Sequence, residues 1–199
     1  GLGDVYKRQS VDNLIKSAIP KDHIYKTGNT VIDALLHTVE NNKTDLSYIG
    51  LNPELKTILL TSHRRENFGE PIRNICKAVL ELVEKNKDIQ VVYPVHLNPN
   101  VQKPVKELLS GKERIHLIEP MEYAPFSSLM KEAHIIMTDS GGVQEEAPSL
   151  GKPVLVLRST TERPEAVEYG TVKLVGTDED KIVAEAVSYT HLTLPTNRE

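Results

Sequence analysis

From Thr57 onward the chain alternates short, continuously apolar runs with amphipathic stretches of helical period, and this alternation restricts the fold more than any other feature. Residues 57–61, 89–93, 115–118, 134–137, 153–157 and 172–175 are too short for helices and rich in branched aliphatic side chains on both faces. Between them, Ile72, Ile75, Val79 and Leu82 recur on one helical face. Stretches 101–109, 125–132, 143–150 and 179–186 read the same way, and a short helix is expected after Arg163. Strands buried on both faces and separated by helices predict an α/β fold, a doubly wound parallel sheet of the Rossmann-like kind.

Upstream the pattern is looser. Residues 11–19 have helical spacing that ends at Pro20, and His23-Ile24-Tyr25-Lys26 is a strand candidate. Thr27-Gly28-Asn29-Thr30 offers a turn and an N-cap for a helix through Val31, Ala34, Leu35 and Val39. The polar stretch 40–48 is the internal linker candidate. Residues 1–9 carry neither helical nor strand periodicity, and residues 187–199 break the pattern of the preceding helix. Both ends resemble translated read-through of sequencing adapters and are expected to be artefacts foreign to the fold. The expected organisation is therefore a Rossmann-like domain over 46–186, preceded by a separate segment over 10–45.

A net charge of -4 and a pI near 6.0 exclude a broad basic field, so no nucleic-acid partner is expected. No apolar run reaches the ~20 residues of a membrane span, so no membrane partner and a soluble, cytoplasmic protein are the expectation. Cys76 lies inside an apolar helical pattern and reads as a buried structural thiol. His23, His37, His116, His134 and His191 lack metal-ligand spacing, and His134 reads as part of a strand. No metal and no cofactor are expected.

In a doubly wound sheet, ligands bind where strands end, so the loops after strands carry the functional signal. The strongest is Thr138-Asp139-Ser140-Gly141-Gly142-Val143-Gln144-Glu145-Glu146, where a strand passes through two glycines directly into a helix. Glycine lets a phosphate approach the backbone, and the free N–H groups of the first helical turn point at it. Ser140 adds a hydroxyl, and Glu146, one turn in, suits the two hydroxyls of a ribose. The same position recurs in Ser62-His63-Arg64-Arg65-Glu66-Asn67, which supplies permanent charge and a group titrating near neutrality. Arg65 and Glu66 also read as an exposed ion pair. His96 follows a strand between Pro94 and Pro99, and Arg163 follows another, with Pro164 suited to a first helical position. Phe126, one of two phenylalanines, reads as core by its pattern alone.

His63-Arg64-Arg65-Glu66-Asn67, Pro94-Val95-His96-Leu97-Asn98-Pro99, Asp139-Ser140-Gly141-Gly142-Val143-Gln144-Glu145-Glu146, Gly151-Lys152-Pro153-Val154 and Thr161-Glu162-Arg163-Pro164-Glu165 stand in this order. The combination, with Thr27-Gly28-Asn29 upstream, resembles the non-hydrolysing UDP-N-acetylglucosamine 2-epimerases over essentially residues 10–186. The resemblance implies the C-terminal half of a glycosyltransferase-B architecture, with residues 10–45 as a remnant of the N-terminal domain and the crossing between domains. It implies conversion of UDP-N-acetylglucosamine to UDP-N-acetylmannosamine by elimination and re-addition of UDP, in a full-length protein that is a homodimer. Ser140, Gly141 and Gly142 would hold the pyrophosphate, Glu146 the ribose, and Phe126 would lie against the uracil. His63 would stabilise charge on the departing phosphate, and Arg64 and His96 would belong to a second, regulatory UDP-N-acetylglucosamine site. The acids and bases of the reaction would come from the N-terminal domain, so that this half binds UDP without turning over substrate. A glycosyltransferase or a hydrolysing epimerase of the same architecture, or a nucleotide-sugar-binding module without catalysis, are the alternatives.

Overall fold

The computed structural model describes residues 11–25, 29–42, 44–161 and 172–191. Its centre is a six-stranded sheet of β1 (Lys56–Thr61), β2 (Ile89–Pro94), β3 (Ile115–Ile118), β4 (Ile135–Thr138), β5 (Val154–Val156) and β6 (Val172–Leu174) in the order β3-β2-β1-β4-β5-β6. All pairings are parallel, as in Ile58↔Val91 and Leu59↔Ile136. The six strands expected from Thr57 onward are all present, within a residue or so of their predicted bounds.

Successive strand residues point to opposite faces, and each face has its own apolar cluster. On one side Ile58, Leu60, Val91, Tyr93, Ile135 and Met137 meet α2 (Glu70–Lys85), α3 (Pro99–Leu109) and α6 (Glu179–His191). Ile72, Ile75, Val79 and Leu82 are buried there, as their spacing predicts, and so is Cys76. Burial pushes the Cys76 thiol up to about 12, so it stays protonated and unreactive. On the other side Leu59, Val92, Ile136 and Val154 meet α1 (Thr30–Asn41), α4 (Tyr123–Glu132) and α5 (Gly141–Ser149).

Upstream, the outcome differs from the sequence pattern. His23 closes a short 3-10 turn over Lys21–His23, and Ile24 and Tyr25 belong to no strand. A short apolar run becomes a strand only with a neighbour to complete its hydrogen bonds, and Tyr25 stands 80% exposed. Residues 11–16 are helical, with Leu14 and Ile15 more than a third exposed. Asn29 caps α1 by accepting from Val31 N–H. Of the apolar residues expected on the inner face of α1, Leu35 is buried and Val39 partly buried, whereas Val31 and Ala34 face outward. Thr27, Gly28 and Lys26 lie outside the described residues. At the other end α6 runs on through His191, and Val187 and Tyr189 pack against the core beyond the break in the apolar pattern. Helical hydrogen bonds carry the backbone onward where a partly buried face remains, even without strict periodicity.

His134 ends up just ahead of β4, where its Nδ1 accepts from Thr57 N–H at 3.2 Å and its own N–H donates to Thr57 O at 2.8 Å. The turn into β3 depends on Arg114, which adopts a left-handed φ of 61°. Its guanidinium donates to Val83 O, Asn86 O and Ile89 O at 2.6 to 2.9 Å, closing the end of α2 onto β2. Arg114→Ala is expected to lower stability by about 2 kcal/mol in urea unfolding, the usual size for hydrogen bonds to a charged group. Arg114→Gly should recover part of the loss by relieving the left-handed backbone, and equal losses in both variants would refute that division.

Candidate functional site at the carboxyl edge

The strand order reverses direction between β1 and β4, and the two loops richest in functional residues leave the sheet at that point. In an open parallel sheet this is where neighbouring loops diverge to opposite faces and leave a crevice. Asp139, the first residue after β4, is fully buried there. Its Oδ2 accepts from Ser62 Oγ at 2.8 Å and from His63 N–H, Arg64 N–H and Asn67 Nδ2 at 2.9 Å. Asn67 Nδ2 also donates to Leu157 O at 3.2 Å, and the buried Tyr93 hydroxyl donates to Ser62 O at 3.0 Å. One carboxylate therefore shapes the loop after β1 and joins it to the ends of β4 and β5. Burial raises the Tyr93 phenol well above its ordinary value, so it remains a donor.

That scaffold places the expected residues together. His63 and His96 stack with ring centroids 5.6 Å apart and planes 17° from parallel. His96 Nδ1 accepts from Asn98 N–H at 3.1 Å, which fixes its ring. The Arg64 guanidinium reaches the start of α5, with Nη2 3.5 Å from where a Cβ on Gly141 would sit. Ser140 is the N-cap of α5 yet makes no side-chain capping bond, so its hydroxyl is not spent on the helix. Its N–H donates to Thr138 Oγ1 at 2.9 Å. Hydroxyl, helix N-terminus, guanidinium and imidazole thus lie together at this edge, a donor set suited to a phosphate.

Glu146 lies one turn into α5, 8% exposed, and accepts from the Tyr123 hydroxyl at 3.3 Å. Burial raises its carboxyl above the ordinary value. The carboxyl is protonated in both states at acid pH, so it then costs the fold nothing. The cost sets in as pH rises through the unfolded-chain value and is complete above the raised folded value. Glu146→Gln should therefore melt higher than the native chain at about pH 7, and the two should melt together at about pH 3.5. A gap of the same size at both pH values would refute burial as the cause.

Phe126, expected as core from pattern and as a stacking surface from resemblance, is partly buried against the second cluster and keeps one side open. It stands three residues from Tyr123 along α4, on the same helical face. Arg163 and the short helix expected after it lie outside the described residues. The loop leading to them is tied to α5 by Thr161 Oγ1, which donates to Gln144 Oε1 at 2.8 Å. The Arg65–Glu66 pair does not form: Glu66 accepts from the nearly buried Arg158 at 2.6 Å. Arg158 holds a fixed position beside β5, whereas an adjacent residue in a short 3-10 turn points elsewhere. Sequence reasoning did not single out Tyr123, and it gave no role to Asn67 or Asp139, although both lie inside the motifs it marked. Only the strand-end position of Asp139 gave a signal, because a lone carboxylate beside a phosphate loop must face inward. Among the described residues no cluster of histidine, cysteine and acidic side chains is arranged to hold a metal, and no helix is long and apolar enough to cross a membrane.

Sheet order and edge loops together define an open α/β protein of the doubly wound class. A family model described as UDP-N-acetylglucosamine 2-epimerase matches residues 4–196. The UDP-N-acetylglucosamine 2-epimerase of Salmonella typhimurium is 52% identical over 190 residues, which are 92% of this chain and 50% of that protein. The crystal structure of UDP-GlcNAc 2-epimerase from Neisseria meningitidis bound to UDP-GlcNAc superposes with a TM-score of 0.83 at 52% identity, covering 91% of this chain and 51% of that one. An Escherichia coli heptosyltransferase with ADP, 15% identical with a TM-score of 0.53 over 78% of this chain and 47% of its own, shares the fold alone. The chain belongs to the UDP-N-acetylglucosamine 2-epimerase family, and it spans about half the length of the curated relatives it matches.

Proposed function

We propose that this chain supplies the UDP-holding half of an enzyme that interconverts UDP-N-acetylglucosamine and UDP-N-acetylmannosamine. In the forward direction a base takes the proton from sugar C2 while the C1–O bond breaks and UDP leaves. Re-addition of UDP to the same face of the resulting glycal, with C2 protonated from the face opposite the one that lost its proton, gives the C2 epimer. Expelling UDP builds negative charge on the β-phosphate, and preorganised donors lower that barrier. Ser140 and the N–H groups at Gly141 and Gly142 take the pyrophosphate, His63 faces the departing phosphate, Glu146 takes the ribose and Phe126 the uracil. Arg163 is a further residue for the same ligand, and Arg64 with His96 contributes to a second, regulatory sugar-nucleotide site. Residues 46–186 form this half, and residues 10–45 lead across to an amino-terminal domain that brings the carboxylates for proton transfer. The working protein is a cytoplasmic homodimer.

The observation that carries this reading is the Asp139 junction, which aims the His63-Arg64 loop at the uncapped start of α5. Calorimetric titration of the 199-residue chain with UDP should show binding, while nuclear magnetic resonance of a mixture with UDP-N-acetylglucosamine should show no epimer. A folded chain that ignores UDP would refute the site. Epimer formed by this chain alone would refute the assignment of proton transfer to another domain.

A further inference from the structure

We propose that Asp139 is the positioning residue of His63, holding its ring with the proton on Nδ1 so that Nε2 is the nitrogen left for the phosphate. The inference rests on the reading of His63 as the group facing the leaving phosphate. Four donors converge on Asp139 Oδ2, and two of them are the backbone N–H groups of His63 itself and Arg64. Oδ1 of the same carboxylate is buried with no hydrogen-bond partner among the described residues, yet His63 Nδ1 lies 3.4 Å from it. That separation is long for a hydrogen bond. Such contacts are often loose in ligand-free sites and tighten on binding.

A carboxylate oxygen offers only lone pairs, so a second lone pair on Nδ1 would face it with repulsion, whereas an Nδ1–H satisfies it. The His63 side chain is 42% exposed, while Asp139 is sealed from water, so the fixed partner sets the ring and not the reverse. Nε2 is then the ring nitrogen that shares a proton with a phosphate oxygen. The stacked neighbour differs. His96 Nδ1 accepts a backbone hydrogen bond, whereas His63 Nδ1 faces a carboxylate oxygen. The Arg64 guanidinium reaches the start of the same helix, α5.

The test is the tautomer of His63 in the 199-residue chain, read from long-range proton–nitrogen spectra of histidine-labelled protein. The His63 signals are those absent from His63→Gln. The expected result is a neutral ring protonated at Nδ1, with both nitrogen signals moving when UDP is added. In Asp139→Asn the amide oxygen can keep the four donors while its NH2 faces the ring, so the proton should switch to Nε2. UDP should then bind about tenfold more weakly, since a charge-assisted bond becomes a neutral one. An Nε2–H tautomer in the native chain overturns the proposal, with no variant needed. An unchanged tautomer in a folded Asp139→Asn chain overturns it too. An Nδ1–H ring that UDP leaves unmoved overturns instead the assignment of His63 to the phosphate, so the two readings fail separately.

Discussion

Replacing Gly141 and Gly142 together by alanine is expected to leave the fold as stable as before, or slightly more so, while UDP binding falls at least about 100-fold. The two halves of this expectation have separate grounds. Among the described residues, a Cβ built on Gly141 meets nothing closer than Arg64 Nη2 at 3.5 Å, and one on Gly142 nothing closer than Ser140 Oγ at 4.0 Å. Neither residue has the positive φ that demands glycine. Both lie within a helix, where alanine is the better residue by up to about 1 kcal/mol each. The free chain thus gives no packing or backbone reason for two glycines. A phosphate does, because two methyl groups would hold it off the helix N–H groups and forfeit about two charge-assisted hydrogen bonds, roughly 3 kcal/mol in all. Calorimetry with UDP and urea unfolding of the double variant read the two halves. Undiminished affinity would show that the cradle lies elsewhere.

Asp139→Ala should produce the largest loss of stability of any single change at this edge, at least about 3 kcal/mol in urea unfolding. The carboxylate is inaccessible to water and satisfies Ser62 Oγ, two backbone N–H groups and Asn67 Nδ2 at once. Without it, buried donors are left unpaired, and each such group costs about 1–3 kcal/mol. Ser62→Ala removes a single donor and should cost only about 1 kcal/mol. A loss below about 1 kcal/mol for Asp139→Ala would mean that water or a shifted loop replaces the carboxylate.

The strands and helices of the sheet region were legible in the sequence because burial on two faces leaves a strong mark: continuous aliphatic runs such as 57–61 and 89–93 have no other stable use in a chain like this. The weaker segments were not. His23–Tyr25 has strand-like residues, but no strand edge is available to it, and the continuation of α6 past Ala186 depends on where Val187 and Tyr189 find core to cover. The proposed phosphate cradle was suggested by the Ser140-Gly141-Gly142 turn for the same local reason, since a loop between strand and helix exposes its backbone donors within a few residues.

The Thr138–Glu146 segment, the His63-Arg64 loop and their family resemblance were thus determined by the sequence itself, because short-range backbone geometry and residue type suffice to define them. Tertiary structure alone decided how these pieces meet. Thr61 and Thr138 lie far apart in the chain, yet parallel pairing sets their hydroxyls 2.7 Å apart, so both loops leave the sheet side by side. Only that register brings Asp139 under His63, stacks His63 on His96, and gives Glu66 to Arg158 in place of its neighbour Arg65. These are contacts between residues distant in sequence, and no local pattern encodes a partner whose approach is set by the twist and order of the sheet.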